Sequence, residues 1–353
     1  MTNILMAAVT AAILWSQNVS PIAACTTFCA MTGDAVLFGR NYDFEIGDGL
    51  LFVNTRGLAK QGFGARGPRW VARYGSVTFN QFGRDFPMGG INENGLVVEL
   101  MWLDATQYPA PDDRAELGTL EWIQYQLDTA GSVADVVASD AHVRIAGDAP
   151  LHYLVSDPSG AAATIEFLNG RLVAHTQTSL PIAVLANSTY EQSLQFWRRR
   201  GEPSLPGGSG SDERFARTAT QVRGLKELVA AHAVDRAFAI LANAAQRSTR
   251  WTIVYDQTNR VVRFRTDRNP AIRELRMKTL DFSCGAPVRL VDLEEKMAGD
   301  IAARLQPYTP AANEALVTKT YPASSVTRRT PVSEIQAVAR HPNQSACASR
   351  QAP

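Results

Sequence analysis

Cys25 stands in the stretch "SPIAACTTFCAM", residues 20–31, directly behind two alanines and an apolar leader. Three chemistries fit it: the first residue left by signal cleavage, the sulfur of a lipid anchor, or the reactive end of an enzyme. If residue 25 became the first of the chain, an α-amine with a pKa of about 7.7–8.0 would sit beside a thiol near about 8.5. The two could then exchange a proton close to neutral pH. The amine would serve as general base while Sγ attacks a carbonyl, with no need for histidine. His142, His152, His175, His232 and His341 are scattered, and no local signature marks one as a partner base. Cys29 would lie about 13 Å along a strand from Cys25, too far for a disulfide. Cys284 and Cys347 can pair in an oxidising compartment. No CxxC or Cys/His spacing suggests zinc, and no metal or organic cofactor is expected.

The leader itself is "ILMAAVTAAILW" at 4–15. As a helix it would reach about 18 Å, short of a ~30 Å hydrocarbon core. A polar patch and the small residues Ala23 and Ala24 follow, which reads as a secretory signal over 1–24 cleaved before Cys25, although no Lys or Arg precedes the apolar run. The mature protein is then expected in the periplasm or secreted. Formal net charge is +1 over 353 residues, with charges mixed along the chain. That excludes the basic stripe a nucleic-acid partner requires. The run Arg198–Arg200 reads as a solvated loop edge. Membrane association is expected only if Cys25 is lipidated.

The elements that must position these residues come in runs. Short strands and turns fill 25–54, and "WVARY", "SVTFNQF" and "GLVVELMWL" continue the strand pattern between Gly-rich turns. A helical block follows in "LGTLEWIQYQLDTA" and "SVADVVASDA", with Ser132 as N-cap. Strands return in "LHYLVSDPSGAAATIEFLNGRLVAH", whose "DPSG" and "NG" are turn signals. Next come "IAVLAN", a Gly/Ser/Pro loop at 201–211, helices around 212–226 and 234–246, and the strand pair "WTIVYDQTNRVVRFRT". From about 323 to 353 the composition reads as a loose tail. Strands, then helices, then strands again favour an α+β fold with antiparallel sheets covered by helices.

The stretch "CTTFCAMTGDAVLFGRNYDF" resembles the start of the choloylglycine hydrolase family, cysteine N-terminal-nucleophile (Ntn) hydrolases that include penicillin V acylases and bile salt hydrolases. The Cys-Thr opening is followed by Gly39, Arg40, Asn41 and Asp43, matching the family's Gly-Arg-Asn-x-Asp cluster. "GINENGL" at 90–96, "LAN" ending at Asn187, "RFAR" at 214–217 and "VYDQTNRVVRFRT" at 254–266 follow in the family's order. The resemblance spans about 25–320 and implies a four-layer αββα sandwich of two mainly antiparallel sheets, with the domain at 25–322.

That resemblance implies hydrolysis of a linear amide C–N bond through a cysteinyl acyl-enzyme. Cys25 would be the nucleophile, Arg40 its electrostatic assistant, Asp43 the group orienting the α-amine, and Asn187 an oxyanion donor. Arg214 matches a family arginine near the site, with Arg217 one turn away as its rival. Bile salt hydrolases carry an Asn where this chain has Trp102. Trp102 instead offers a flat wall for an aromatic or acyl group, or is plain core. Tyr42 and Phe44 are candidates for the same wall. Penicillin V-like phenoxyacetyl amides or N-acyl-homoserine lactones rank first as substrates and conjugated bile salts second. The family also suggests a homotetramer. A reading of another class makes the chain a lipid-anchored, non-catalytic binding protein acylated on Cys25.

Overall fold

The computed structural model describes residues 24–147, 149–200 and 207–348. The leader before Ala24 and the first part of the 201–211 loop lie outside them. Two large sheets form the centre. In the first, strands run in the order 184–185, 26–31, 36–43, 249–256, 261–266, 273–276 and 299–300. The second holds nine strands, from 171–176 through 162–168, 151–156, 97–102, 89–92, 76–80, 50–54 and 289–292 to 306–307. Neighbours are antiparallel except for the edge pair of 273–276 with 299–300. The chain is thus α+β.

The sheets pack face to face. Phe79 of the nine-stranded sheet meets Trp251, Tyr255 and Phe264 of the other, with ring centroids 6.3, 6.2 and 5.3 Å apart. Helices Ser211–Val222 and Ala230–Ala244 cover the outer face of the seven-stranded sheet, and Thr119–Thr129 and Val133–Ala138 cover that of the nine-stranded one. Coverage on both sides explains why every residue of Val36–Asp43 is buried and why its sequence lacks a polar/apolar alternation. Ser132 caps its helix as expected, its Oγ accepting from the Asp135 amide at 3.2 Å.

Two expectations need correction. Arg198–Arg200 are not a loop edge but the last turn of helix Tyr190–Arg200, where cations meet the negative end of the helix dipole. The stretch expected to be a loose tail is also largely structured. Helix Pro310–Ala323 runs into it, helix Val332–Arg340 follows, and residues 346–347 pair with 58–59. A disulfide joins Cys284 to Cys347, with Cα atoms 5.7 Å apart. Asn313 bridges this region to the body, accepting from the Arg84 amide at 2.7 Å and donating to the Ala339 carbonyl at 2.8 Å. Polar composition concealed that order, because a short amphipathic helix tied by a crosslink needs few apolar residues.

Candidate active site

Cys25 lies at the head of strand Thr26–Met31, fully buried, against the end of strand Val36–Asp43. Its thiol is 3.8 Å from the Asp43 carbonyl. Burial pushes the thiol pKa up, while the Arg40 guanidinium opposes that rise. Arg40 and Asp43 are three residues apart, so a strand sends them to opposite faces. Arg40 points between the sheets with Tyr42, and Cys25 at the strand end feels both charges.

Each of these groups is held by others. Arg40 Nη1 donates to the Met88 carbonyl at 2.6 Å and pairs with the fully buried carboxylate of Glu99. Tyr255 donates to the same carboxylate at 2.5 Å. Arg40 Nε and Nη2 carry no hydrogen-bond partner among the described residues, leaving that side of the guanidinium uncommitted. Asp43 accepts from the Thr249 hydroxyl on Oδ1, while its buried Oδ2 has no hydrogen-bond partner among the described residues. A bulge between Thr249 and Trp251 brings Thr249 opposite Asp43, a common device for re-aiming a side chain beside a site. Burial raises the Asp43 pKa to about 6 against the pull of Thr249, Arg214 and Arg40.

Arg214, buried in helix Ser211–Val222, is the centre of a second group. Its Nη1 donates to the Ala24 carbonyl, to the Cys25 carbonyl at 2.7 Å and to Thr26 Oγ1 at 2.8 Å. Its Nη2 donates to Asn187 Oδ1 at 2.9 Å. Asn187 Nδ2 in turn donates to the Trp102 carbonyl at 2.9 Å. Of the two arginines left open above, it is Arg214 that reaches Cys25, whereas Arg217 Nη1 donates to the Gly208 carbonyl at 3.1 Å. His152 lies behind Asn187, with Nε2 2.8 Å from the Ala186 carbonyl and Nδ1 3.2 Å from Glu166 Oε1.

A cavity of about 160 Å³ opens beside the thiol, lined by Cys25, Tyr42, Phe44, Phe82, Leu100 and Trp102 among others. Its walls are overwhelmingly apolar. Tyr42 is pinned by stacking on Trp251, centroids 4.4 Å apart, and by donating to Gln81 Oε1 at 2.7 Å. The Trp102 indole is anchored to Asp104 Oδ1 at 2.6 Å. All eight sequence-selected residues therefore gather at one place. Glu99, Thr249 and Phe82 were missed. Glu99 had a visible signal, a carboxylate within the apolar run "VVELMW". Thr249 and Phe82 had none, because pairing across the sheets selects them. Among the described residues, no group of three or more His, Cys, Asp or Glu side chains is placed to hold a metal ion.

Known proteins resemble this chain in sequence and in fold. The family of linear amide C–N hydrolases, choloylglycine hydrolase family, matches residues 25–201. A penicillin V acylase of Pectobacterium atrosepticum is 28% identical over 269 residues, 63% of this chain and 71% of that protein. The structure of penicillin V acylase from Agrobacterium tumefaciens aligns with a TM-score of 0.73 at 26% identity, covering 81% of this chain and 98% of that one. A conjugated bile acid hydrolase from Clostridium perfringens, at 18% identity and a TM-score of 0.66, covers 78% of this chain and 98% of its own and shares the fold. With its two antiparallel sheets between helices and residues 25–201 matched, the chain belongs to the choloylglycine hydrolase family and is an amidohydrolase of linear C–N bonds.

Proposed function

We propose that Cys25, freed as the first residue of a periplasmic or secreted enzyme, attacks linear amides bearing an aromatic or modest aliphatic acyl group. Penicillin V-like phenoxyacetyl amides and N-acyl-homoserine lactones are the leading substrates. The observation that carries this reading is the thiol in the wall of an apolar cavity of about 160 Å³. A dry cavity of about 150 Å³ holds one benzene ring, so an aryl group or a short chain fills this space, whereas a fused steroid would have to extend beyond it. Conjugated bile salts therefore stay second. A lipid anchor on Cys25 is disfavoured because it gives no use to the charged and polar set gathered at that residue, Arg40, Asp43, Asn187 and Arg214.

The residues support a complete cycle. Cleavage after Ala24 turns an amide nitrogen into an amine, and the group assigned to orient it is Asp43 Oδ2, buried with no hydrogen-bond partner among the described residues. That amine takes the thiol proton as Sγ bonds to the substrate carbonyl carbon, and Arg40 favours the developing thiolate. Asn187 Nδ2 spends one hydrogen on the Trp102 carbonyl and offers the other to the oxyanion. The C–N bond then breaks, the leaving nitrogen receives the proton, and water hydrolyses the thioester, returning the thiol and releasing the acid.

The test compares three purified forms of intact mass verified by spectrometry: Cys25-first, Ala24-retaining, and Cys25→Ala. Each is assayed on penicillin V, acyl-homoserine lactones, and glycine and taurine conjugates of bile acids. Turnover of the first two classes by the Cys25-first form alone is expected. Full activity in a homogeneous Ala24-retaining form would overturn the amine-as-base mechanism. Activity confined to bile salts would overturn the substrate ranking.

A further inference from the structure

The cavity beside Cys25 has a wall that the N-terminal half of the chain does not supply. Tyr321, Val326 and Thr327 face the same space as the thiol. A series of ring contacts runs to them from the nucleophile. Tyr42 stacks on Phe44 at 5.6 Å, Phe44 meets Phe82 edge-on at 6.1 Å, and Phe82 meets Tyr321 edge-on at 5.6 Å. Tyr321 thus stands three contacts from Tyr42, at the far end of one aromatic wall.

We infer that the segment Tyr321–Thr327 closes the acyl cavity and sets the length of acyl group accepted, with Val326 as the limiting side chain. This rests on the proposed use of the cavity as the acyl site. Val326 lines the cavity and is also 40% exposed, so its side chain stands where the cavity meets solvent. The segment is held in place by its own hydrogen bonds. The Ser325 amide donates to Glu45 Oε2 at 2.7 Å, one residue from the wall residue Phe44. Thr327 Oγ1 donates to the Tyr321 carbonyl at 2.8 Å, and the Val326 amide donates to Ser324 Oγ at 3.2 Å. None of these bonds uses the Val326 side chain, so its size can change without untying the segment.

The physical consequence is a length limit. A chain that outgrows the cavity must displace Val326 or stay partly in water, losing burial for each methylene left outside. One methylene more or less in such a pocket is worth about tenfold or more in kcat/KM. Val326→Ala opens a slot to solvent through which a longer chain can pass, and Val326→Phe fills the end of the cavity.

The experiment uses N-acyl amides of one leaving amine with butanoyl, hexanoyl, octanoyl and decanoyl groups. The readout is the octanoyl-to-butanoyl ratio of kcat/KM in wild type, V326A and V326F. The ratio should rise about tenfold in V326A and fall by a similar factor in V326F. An unchanged ratio in both, with unaltered melting temperatures, overturns the inference. A parallel series in the Cys25→Ala background measures Kd for the free butanoate to decanoate acids by calorimetry, independently of turnover. If wild type hydrolyses none of the amides, the nucleophile reading fails, yet the Kd ratio still decides the wall: moved by V326A and V326F it stands, unmoved it falls.

Discussion

At the scale of single residues, Asp43 links the fold to the pH response. With Ala24 peptide-bonded to Cys25, burial holds the carboxyl at about 6, so it is neutral below that pH and charged above it. If Cys25 is the first residue, as proposed, its amine is an ammonium below its own pKa, and that charge near Asp43 favours the carboxylate and pulls the carboxyl pKa back down. The acid limb of kcat/KM reports ionisations of the free enzyme. In the Cys25-first form the limb should follow protonation of the amine, whose pKa the Asp43 carboxylate raises, so Asp43→Asn should move the limb to lower pH and slow turnover. A limb that Asp43→Asn leaves in place would contradict the pairing of carboxylate and amine. Asn187 belongs to the same scale. Its oxygen is occupied by Arg214 and one amide hydrogen by Trp102, so it is oriented before substrate arrives.

At the scale of elements, strand Val36–Asp43 and strand Val97–Trp102 face each other across the sheets and share one buried ion pair, Arg40 with Glu99. The pair needs space that only glycine leaves. A Cβ on Gly89 would fall inside the Glu99 carboxylate group. Gly89→Ala should push Glu99 off Arg40 and leave a buried charge without its partner, which costs about 3–5 kcal/mol. Chemical denaturation should show that loss, and the remaining folded protein should turn over more slowly because Arg40 is no longer fixed beside the thiol. A change under about 1 kcal/mol would mean that the carboxylate relaxes freely. Residue types along Val36–Asp43 could be read from the sequence, but the partner carboxylate belongs to another sheet and its distance could not.

At the scale of the whole molecule, the C-terminal region is a further supplier of the site, beside the two sheets and helix Ser211–Val222. It is tied down by helix Pro310–Ala323, by the Asn313 bridge and by the Cys284–Cys347 crosslink, which spans 63 residues of sequence. Closing a loop of that length removes unfolded-chain entropy equivalent to about 4 kcal/mol. Cys347→Ala should lower stability to denaturant by an amount of that order. Reductant should do the same to wild type and nothing further to the variant. A Cys347→Ala protein as stable as the oxidised wild type would show that the crosslink adds nothing to the non-covalent ties.

What the sequence determined by itself was local chemistry and periodicity. Cys25 ahead of a short strand, the Arg40 and Asp43 spacing, the strand and helix runs and the Ser132 cap depend on neighbours within a few residues, and they were legible on that account. The tertiary structure alone decided which distant groups meet. It chose Arg214 over Arg217, since only Arg214 faces inward to the Cys25 carbonyl while Arg217 turns to Gly208. It paired Glu99 with Arg40 and Thr249 with Asp43, and it brought the residues around Tyr321 and Val326 to a cavity that begins at residue 25. The physical reason is that burial and charge pairing depend on separation in space. Sheet register and face-to-face packing set that separation, and a linear pattern carries neither.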